Sequence, residues 1–245
     1  MMRKKIQQLL VDLRLKGMGQ TLDQELDRAD KEGTSVSEVI HRLLMAEHAY
    51  RQIRSLEYRI RSAKMPWDWT LKTFPFDRQP GVRKHQIQSL AQLSFVEKAE
   101  NIILIGEPGT GKTGLGIGLL RQAMVEGRGR FFNAQDLLDE LYASLADRAT
   151  PKLIKQLFNY DLLLIDELGY LTLKPEQANA FFKLMGERYG KKSTIITTNL
   201  DYPEWYDLFE RKTMVDALID RLQHRCITIR IDGPSLRAPS PDQTA

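Results

Sequence analysis

The segment Gly106-Glu107-Pro108-Gly109-Thr110-Gly111-Lys112-Thr113 constrains this chain more than any other. It follows a short apolar run, Ile102-Ile103-Leu104-Ile105, and precedes a stretch of helical character, Leu115 to Val125. Strand, glycine-rich loop and helix in that order, with the spacing G-x-x-x-x-G-K-[ST], predict a phosphate-binding loop rather than a surface turn. The glycines let the backbone take conformations that a Cβ would block, so successive N–H groups can converge on phosphate oxygens. The N-terminus of the following helix adds the positive end of its dipole. In such a loop Lys112 reaches the β- and γ-phosphates, and the Thr113 hydroxyl ligates magnesium. The expected ligand is a nucleoside triphosphate with Mg2+.

The rest of the composition narrows the setting. A chain of 245 residues fits one large domain, or one domain with a smaller appendage, and 42% apolar residues suffice for a core. No run of 18 apolar residues exists to span a membrane, and the basic start Met1-Met2-Arg3-Lys4-Lys5-Ile6 lacks a signal-peptide apolar stretch. Cys226 stands alone, which excludes an intrachain disulfide, and the expected location is cytoplasmic. His41, His48, His85 and His224 offer no zinc-ligand spacing, so no metal other than magnesium is expected. The net charge of +4 is unevenly spread: residues 1–75 hold 14 basic and 10 acidic side chains, and the remainder balances. Within residues 51–64, Arg51, Arg54, Arg59, Arg61 and Lys64 face only Glu57. Such a segment can bind a polyanion such as DNA, or be a solvated helix end, because the five do not fall on one helical face.

Residues 1–62 read as a small all-helical module. Ile6, Leu9, Leu10 and Leu13 recur at helical spacing until Gly17-Met18-Gly19, and a second helix is expected over Gln20 to Lys31, closing at Gly33. Ser35-Val36-Ser37-Glu38 matches a capping box. It opens a long helix with Val36, Val39, Ile40, Leu43, Leu44, Ile53, Leu56 and Ile60 on one apolar face. Residues 63–81 form a linker with Trp67, Trp69, Phe74 and Phe76. Exposed tryptophans are costly, so these are expected to pack against the neighbouring module, with stacking on nucleic-acid bases as the alternative. From residue 82 to 233 helix and strand alternate. Apolar, β-prone runs at 102–105, 130–132, 161–165, 194–198 and 226–231 imply an α/β domain with a five-stranded parallel sheet between helices. Helices are expected over Gln135–Ala146, Pro175–Tyr189 and Met214–Gln223, and residues 234–245 are expected to be a disordered tail.

A second carboxylate site completes the chemistry. Asp161-Leu162-Leu163-Leu164-Ile165-Asp166-Glu167 lies so that Asp166, 54 residues after Lys112, ends a buried strand at the sheet edge where ligands bind. Asp166 can hold magnesium directly or through water, and Glu167 can accept a proton from an attacking water. A third strand, Ser193-Thr194-Ile195-Ile196-Thr197-Thr198-Asn199, ends at the same edge, where Asn199 can contact the γ-phosphate or orient water. Taken alone, Asn199 would read equally as a turn residue. Arg221, in Ala217-Leu218-Ile219-Asp220-Arg221-Leu222, can stabilise charge on a γ-phosphate, most often in a neighbouring subunit, or form an ordinary surface salt bridge.

The series GEPGTGKT, LLLIDE, TTN and LIDRL resembles the AAA+ ATPases, and within them the branch of IstB transposition helpers and DnaC helicase loaders. The resemblance covers nearly the whole chain, including Phe95 to Ile102 before the phosphate loop and Arg59 to Phe76 before that. It implies that Lys112 and Thr113 are the Walker A residues, Asp166 and Glu167 Walker B, Asn199 sensor 1 and Arg221 an arginine finger. Ser235-Leu236-Arg237 is similar to the serine-aromatic-arginine of this branch, which implies a second phosphate sensor at Arg237, with Leu236 in place of the aromatic. Gly114 and Gly116 depart from the branch, which carries histidine or leucine and alanine there. They put the rigidity of the helix in question, at roughly 1 kcal/mol each relative to alanine. No room is expected for a helical lid domain after the last strand. The implied function is an ATPase that assembles as an oligomer on double-stranded DNA, recruits a separate transposase and disassembles on hydrolysis. A DnaC-like helicase loader is the alternative.

Overall fold

The computed structural model describes residues 2–169, 173–209 and 212–237, with the side chains of residues 212–215 and 223 left aside. Chain contacts divide it into two compact units, residues 1–59 and 60–245. The first contains α1 (Met2–Asp12), α2 (Lys16–Glu32) and most of α3 (Val36–Ser62). Leu10, Leu22, Val39 and Leu43 form its small core, with Ile6, Leu15, Met18 and Leu26 packed around them.

The break between α1 and α2 falls at residues 13–15, where Arg14 takes a φ of 58°, not at Gly17-Met18-Gly19. Both glycines lie in the first turn of α2. The reason is steric: a Cβ on Gly17 would sit 2.6 Å from the Ala46 carbonyl oxygen and 2.7 Å from the Glu47 Cα, so only glycine lets α2 approach α3 this closely. Glu47, 6% exposed, completes the junction. Its carboxylate accepts the free N–H groups of Gly17 (2.7 Å) and Met18 (3.2 Å) and pairs with Arg51 at 2.7 Å. Burial alone would raise this carboxyl, but Arg51 and the two N–H donors hold it below its ordinary value.

Helix α3 begins as expected, with the Ser35 hydroxyl accepting from the Glu38 N–H. Its long apolar stripe is a different matter. Val39 and Leu43 are buried, whereas Val36, Ile40, Leu44 and Ile53 are more than half exposed. A helix of 27 residues outruns partners of 11 and 17, and two shorter helices cover only a narrow seam of it.

The second unit is built on a five-stranded, all-parallel sheet in the order β2-β3-β4-β1-β5. Its strands are β1 (Asn101–Gly106), β2 (Gly129–Asn133), β3 (Leu162–Asp166), β4 (Ser193–Thr198) and β5 (Cys226–Ile231). Every residue of β3 and β4 is buried, as both-face coverage of a parallel sheet requires. Helices α4 (Lys84–Leu90), α5 (Ser94–Glu97), α6 (Lys112–Ala123), α7 (Ala134–Ala146), α8 (Thr150–Phe158), α9 (Pro175–Arg188), α10 (Trp205–Leu208) and α11 (Lys212–His224) surround it. Helices α4, α5, α8 and α10 were not named from the sequence, although Pro151 at the start of α8 and Ile154 and Leu157 on its buried side mark a short amphipathic helix.

Register aligns the strand ends. Asn133 pairs with Asp166, Ile165 with Ile196, Ile105 with Thr198 and Gly106 with Ile231. The C-terminal ends of all five strands therefore share one edge, where ligands bind in open α/β sheets. Away from that edge, Arg188 is 1% exposed and donates to the carbonyls of Leu157, Tyr160 and Ser193 and to the Thr194 hydroxyl. Burial pulls its guanidinium down to about 9, still charged at neutral pH. Among the described residues no helix is long and apolar enough to cross a membrane.

Glu47→Ala leaves two helix-terminal N–H groups without their acceptor and should destabilise the N-terminal helices by about 1–3 kcal/mol. Because the folded carboxyl is held low, its contribution is complete above the ordinary glutamate value and fades as pH falls through the folded one. Helix content followed by circular dichroism through an acid titration checks both statements. A wild-type and variant that lose helix along the same curve would count against them.

Candidate nucleotide site

The phosphate loop leaves the end of β1 and enters α6 through two left-handed glycines, Gly109 at φ 85° and Gly111 at φ 95°. Their missing side chains also make room for neighbours. A Cβ on Gly109 would meet the Ser235 Oγ at 2.1 Å, and one on Gly111 would meet the Phe74 ring at 2.8 Å. The Thr110 hydroxyl donates to the Glu107 carbonyl at 2.8 Å, closing the loop on itself. Lys112 Nζ donates to the carbonyls of Gly106 (2.6 Å) and Glu107 (2.9 Å). Burial lowers the Lys112 ammonium from its ordinary value, opposed by the charges of Asp166, Glu107 and Glu167.

Asp166, 4% exposed, accepts the Thr113 hydroxyl at 3.1 Å on one oxygen and the Thr197 hydroxyl at 2.6 Å on the other. Desolvation raises its carboxyl above the ordinary value, and the adjacent Glu167 charge adds to this, while the two hydroxyls and Lys112 oppose it. The Thr113 hydroxyl and the Asp166 carboxylate are hard oxygen ligands set beside the phosphate loop, which fits magnesium. Among the described residues no group of three or more His, Cys, Asp or Glu gathers to hold a metal. A cation here would thus take its remaining ligands from phosphate oxygens and water.

Glu167 follows in a left-handed conformation, φ 61°, costly for a residue with a Cβ. Two contacts hold it there. Its N–H donates to the Thr197 hydroxyl at 2.9 Å, and its carboxylate accepts from the Asn133 amide at 3.2 Å. Asn133 at the same time caps α7, its Oδ1 accepting from the Gln135 N–H, which fixes which way the amide faces. Asn133 and Thr197 escaped the sequence reading: the first looks like an ordinary helix cap and the second like one hydroxyl in a buried strand. Asn199 stands at the end of β4 with its Oδ1 buried and without a hydrogen-bond partner.

A cavity of about 660 Å³ joins these groups, lined among others by Trp67, Trp69, Lys112, Glu167, Asn199 and Arg237. That volume suits a nucleotide-sized ligand. Arg237 arrives through the segment expected to be disordered. Residues 234–237 are instead pinned to the phosphate loop, because the Leu236 N–H donates to the Gly109 carbonyl at 2.8 Å. The Gln79 amide, fully buried, bridges the carbonyls of Thr110 and Pro234, both at 3.0 Å. Nothing in the sequence flagged Gln79. Residues 238–245 of the expected tail lie outside the described residues.

The other candidates are not at this cavity. Arg221 is exposed on α11, its guanidinium beside Gly186 of α9. Arg51, Arg54, Arg59 and Arg61 lie on α3, with Lys64 just beyond its end. Arg51 and Arg54 are paired with Glu47 and Glu57. Of the two tryptophans expected to pack, Trp69 does so, against Gly114, while Trp67 remains 53% exposed. Gly116 and Gly118 likewise seat Leu164 and Leu71, so the α6 glycines are points of close packing.

Comparison with known proteins agrees with this arrangement. The crystal structure of the DnaC helicase loader superimposes with a TM-score of 0.59 at 26% identity, over 69% of this chain and all of that one. A replication initiator DnaA bound to AMPPCP and single-stranded DNA shares the fold at 20% identity, with a TM-score of 0.58 over 70% of this chain and 52% of its own. Parallel sheet, phosphate loop and acidic strand end together define a P-loop ATPase of the AAA+ class. A profile of the IstB-like ATP-binding proteins matches residues 8–243, and the chain belongs to that family. Relatives include proteins named as the ATP-binding proteins of insertion sequences. One, of IS21 from Pseudomonas aeruginosa, is 35% identical over 94% of this chain and 87% of its own length. Another, of IS5376 from Geobacillus stearothermophilus, is 33% identical over 96% and 94%.

The raised Asp166 carboxyl has a measurable consequence. The folded chain holds this proton more tightly than the unfolded one, so stability falls as pH rises from the ordinary aspartate value through the folded one. Asp166→Asn should therefore melt higher than wild type at pH 7 without nucleotide, with the gain shrinking toward pH 4. The same variant should lose the additional stabilisation by ATP with magnesium. Thermal melts at the two pH values, with and without ligand, test both.

Proposed function

We propose that this protein is the ATP-driven helper of a transposition system. It binds ATP with magnesium, assembles as an oligomer on double-stranded DNA, recruits and stimulates a separate transposase, and disassembles on hydrolysis. In this reading the residues of the loop, Gly106 to Thr113, cradle the phosphates, with Lys112 on the β- and γ-phosphates. Thr113 and Asp166 hold the magnesium, which supplies charge neutralisation on the phosphates. Glu167 takes the proton of the attacking water, Asn199 orients that water or the γ-phosphate, and Arg237 contacts the phosphates from the C-terminal segment. Arg221 acts on a neighbour's nucleotide. Arg51, Arg54, Arg59, Arg61 and Lys64 contact the DNA backbone, and the protein works in the cytoplasm at the nucleoid.

The geometry that carries hydrolysis is Glu167, pinned by Thr197 and Asn133 at the cavity that Lys112 also lines. A carboxylate held in one place by two hydrogen bonds suits proton transfer at a set point. Oligomerisation is supported by the exposure of Arg221 outside the cavity of its own chain. Transposition is supported by relatives named for insertion sequences that match 94% and 96% of this chain. A helicase loader is the second reading, favoured by the likeness to DnaC, which reaches only 69% of the chain.

Light scattering with a non-hydrolysable ATP analogue, comparing duplex and single-stranded DNA of equal length, separates the two. A large assembly that needs nucleotide and duplex, and fails in Arg221→Ala, is expected. Binding confined to single strands would transfer the assignment to a loader. Glu167→Gln should retain ATP binding, slow phosphate release by roughly a hundredfold or more, and leave assemblies that persist after ATP is added.

A further inference from the structure

Trp67 is the large side chain of the cavity that the phosphate chemistry leaves unexplained. It is 53% exposed in a segment whose other aromatics are seated, and it opens onto the same cavity as Lys112. Its neighbours are fixed. Trp69 lies on Gly114, where an added Cβ would meet its six-membered ring at 2.5 Å, and its ring centroid is 6.4 Å from that of Phe74. Phe74 in turn packs against Gly111. Between the two tryptophans, Asp68 pairs with Arg121 of α6 at 2.8 Å, which ties the segment to the phosphate-loop helix. Segment 67–69 is thus held along α6, by Trp69 at its first turn and Asp68 at its last, with the exposed Trp67 indole and the half-buried Trp69 indole both lining the cavity.

We infer that Trp67 is the stacking platform for the base of the bound nucleotide, positioned by the Trp69–Gly114 contact and the Asp68–Arg121 pair. The inference rests on the cavity being the ATP site. The polar lining consists of Lys112, Thr113, Glu167, Thr198, Asn199 and Arg237, all on the phosphate loop, at the ends of β3 and β4, or on the C-terminal segment. The 67–69 side presents indole surface instead. Recognition there is of the face of a base, not its hydrogen-bonding edge, so purines are favoured over pyrimidines by their larger stacking area and adenine is little favoured over guanine. Gly114 belongs to the same device: a side chain there would lift Trp69 from the helix and misplace Trp67.

Calorimetric titration of the full-length protein with AMPPNP, GMPPNP, CTP and inorganic tripolyphosphate, each with magnesium, tests this. Wild type should bind AMPPNP and GMPPNP within a fewfold of each other and both more tightly than CTP. Trp67→Ala should weaken the two purine nucleotides roughly tenfold or more, narrow the purine–pyrimidine gap and leave tripolyphosphate unchanged. Trp67→Phe should restore most of the loss. Unchanged AMPPNP binding in Trp67→Ala, or an equal loss for tripolyphosphate, would overturn the platform while leaving the nucleotide site standing. A wild type that binds neither AMPPNP nor tripolyphosphate would overturn the site and the platform together.

Discussion

The Asp166 carboxylate ties together the three elements that make the site. Its two oxygens accept hydroxyls from α6 (Thr113) and β4 (Thr197), so one buried charge fixes the phosphate-loop helix against two strands. The Thr197 hydroxyl that donates to Asp166 also accepts the Glu167 N–H, so the order continues one residue further, into the left-handed turn that sets Glu167. A buried carboxylate is expensive, and here desolvation raises its proton affinity. Two neutral hydroxyls and a partly buried Lys112 leave that cost only partly offset. A cation has the charge the arrangement lacks, which makes ion binding the natural complement of the strand end.

Around this centre the phosphate loop is gripped from two directions. Phe74 and Gln79 approach from the segment that precedes the sheet, and residues 234–237 approach from the segment that follows it. Gln79 joins the two, since its single amide nitrogen bonds a loop carbonyl and a C-terminal carbonyl. Gly81 lies equally close to the backbone of Asp232, where a Cβ would be 2.6 Å from the carbonyl oxygen. Residues 74–81 and 232–237 therefore meet at the loop. A change in loop conformation cannot leave either segment untouched, because the same Gln79 amide bonds the loop and the C-terminal segment.

What could be read in the sequence follows from how local each cause is. The five strands were legible because a parallel sheet buried on both faces writes itself as continuous apolar runs, and the strand-loop-helix spacing fixed Lys112, Thr113 and Asp166 at one edge. The α1–α2 boundary was not legible. Gly17 reads as a helix stop by itself, and only the approach of α3 makes glycine useful inside the helix. The exposed half of the α3 stripe was misread for a related reason, since periodicity marks an apolar face but not whether a partner is long enough to cover it. Asn133, Thr197 and Gln79 act across 34, 30 and 31 residues of chain, and no local pattern carries such pairings.

The glycines of α6 show how a local penalty and a tertiary gain are weighed. Gly114, Gly116 and Gly118 each cost about 1 kcal/mol of helix propensity relative to alanine. An isolated helix of this sequence would be poor, but α6 is not isolated: every residue from Gly114 to Leu120 is buried. Added Cβ atoms at 114, 116 and 118 would meet Trp69, Leu164 and Leu71 at 2.5, 2.8 and 2.6 Å. Overpacking at such distances costs about 1–3 kcal/mol per site, at least as much as the propensity that alanine would recover. The balance therefore favours glycine on the faces that receive the linker and β3. The helix is kept in place by what lies on it, and that covering includes the aromatic segment that opens onto the nucleotide cavity.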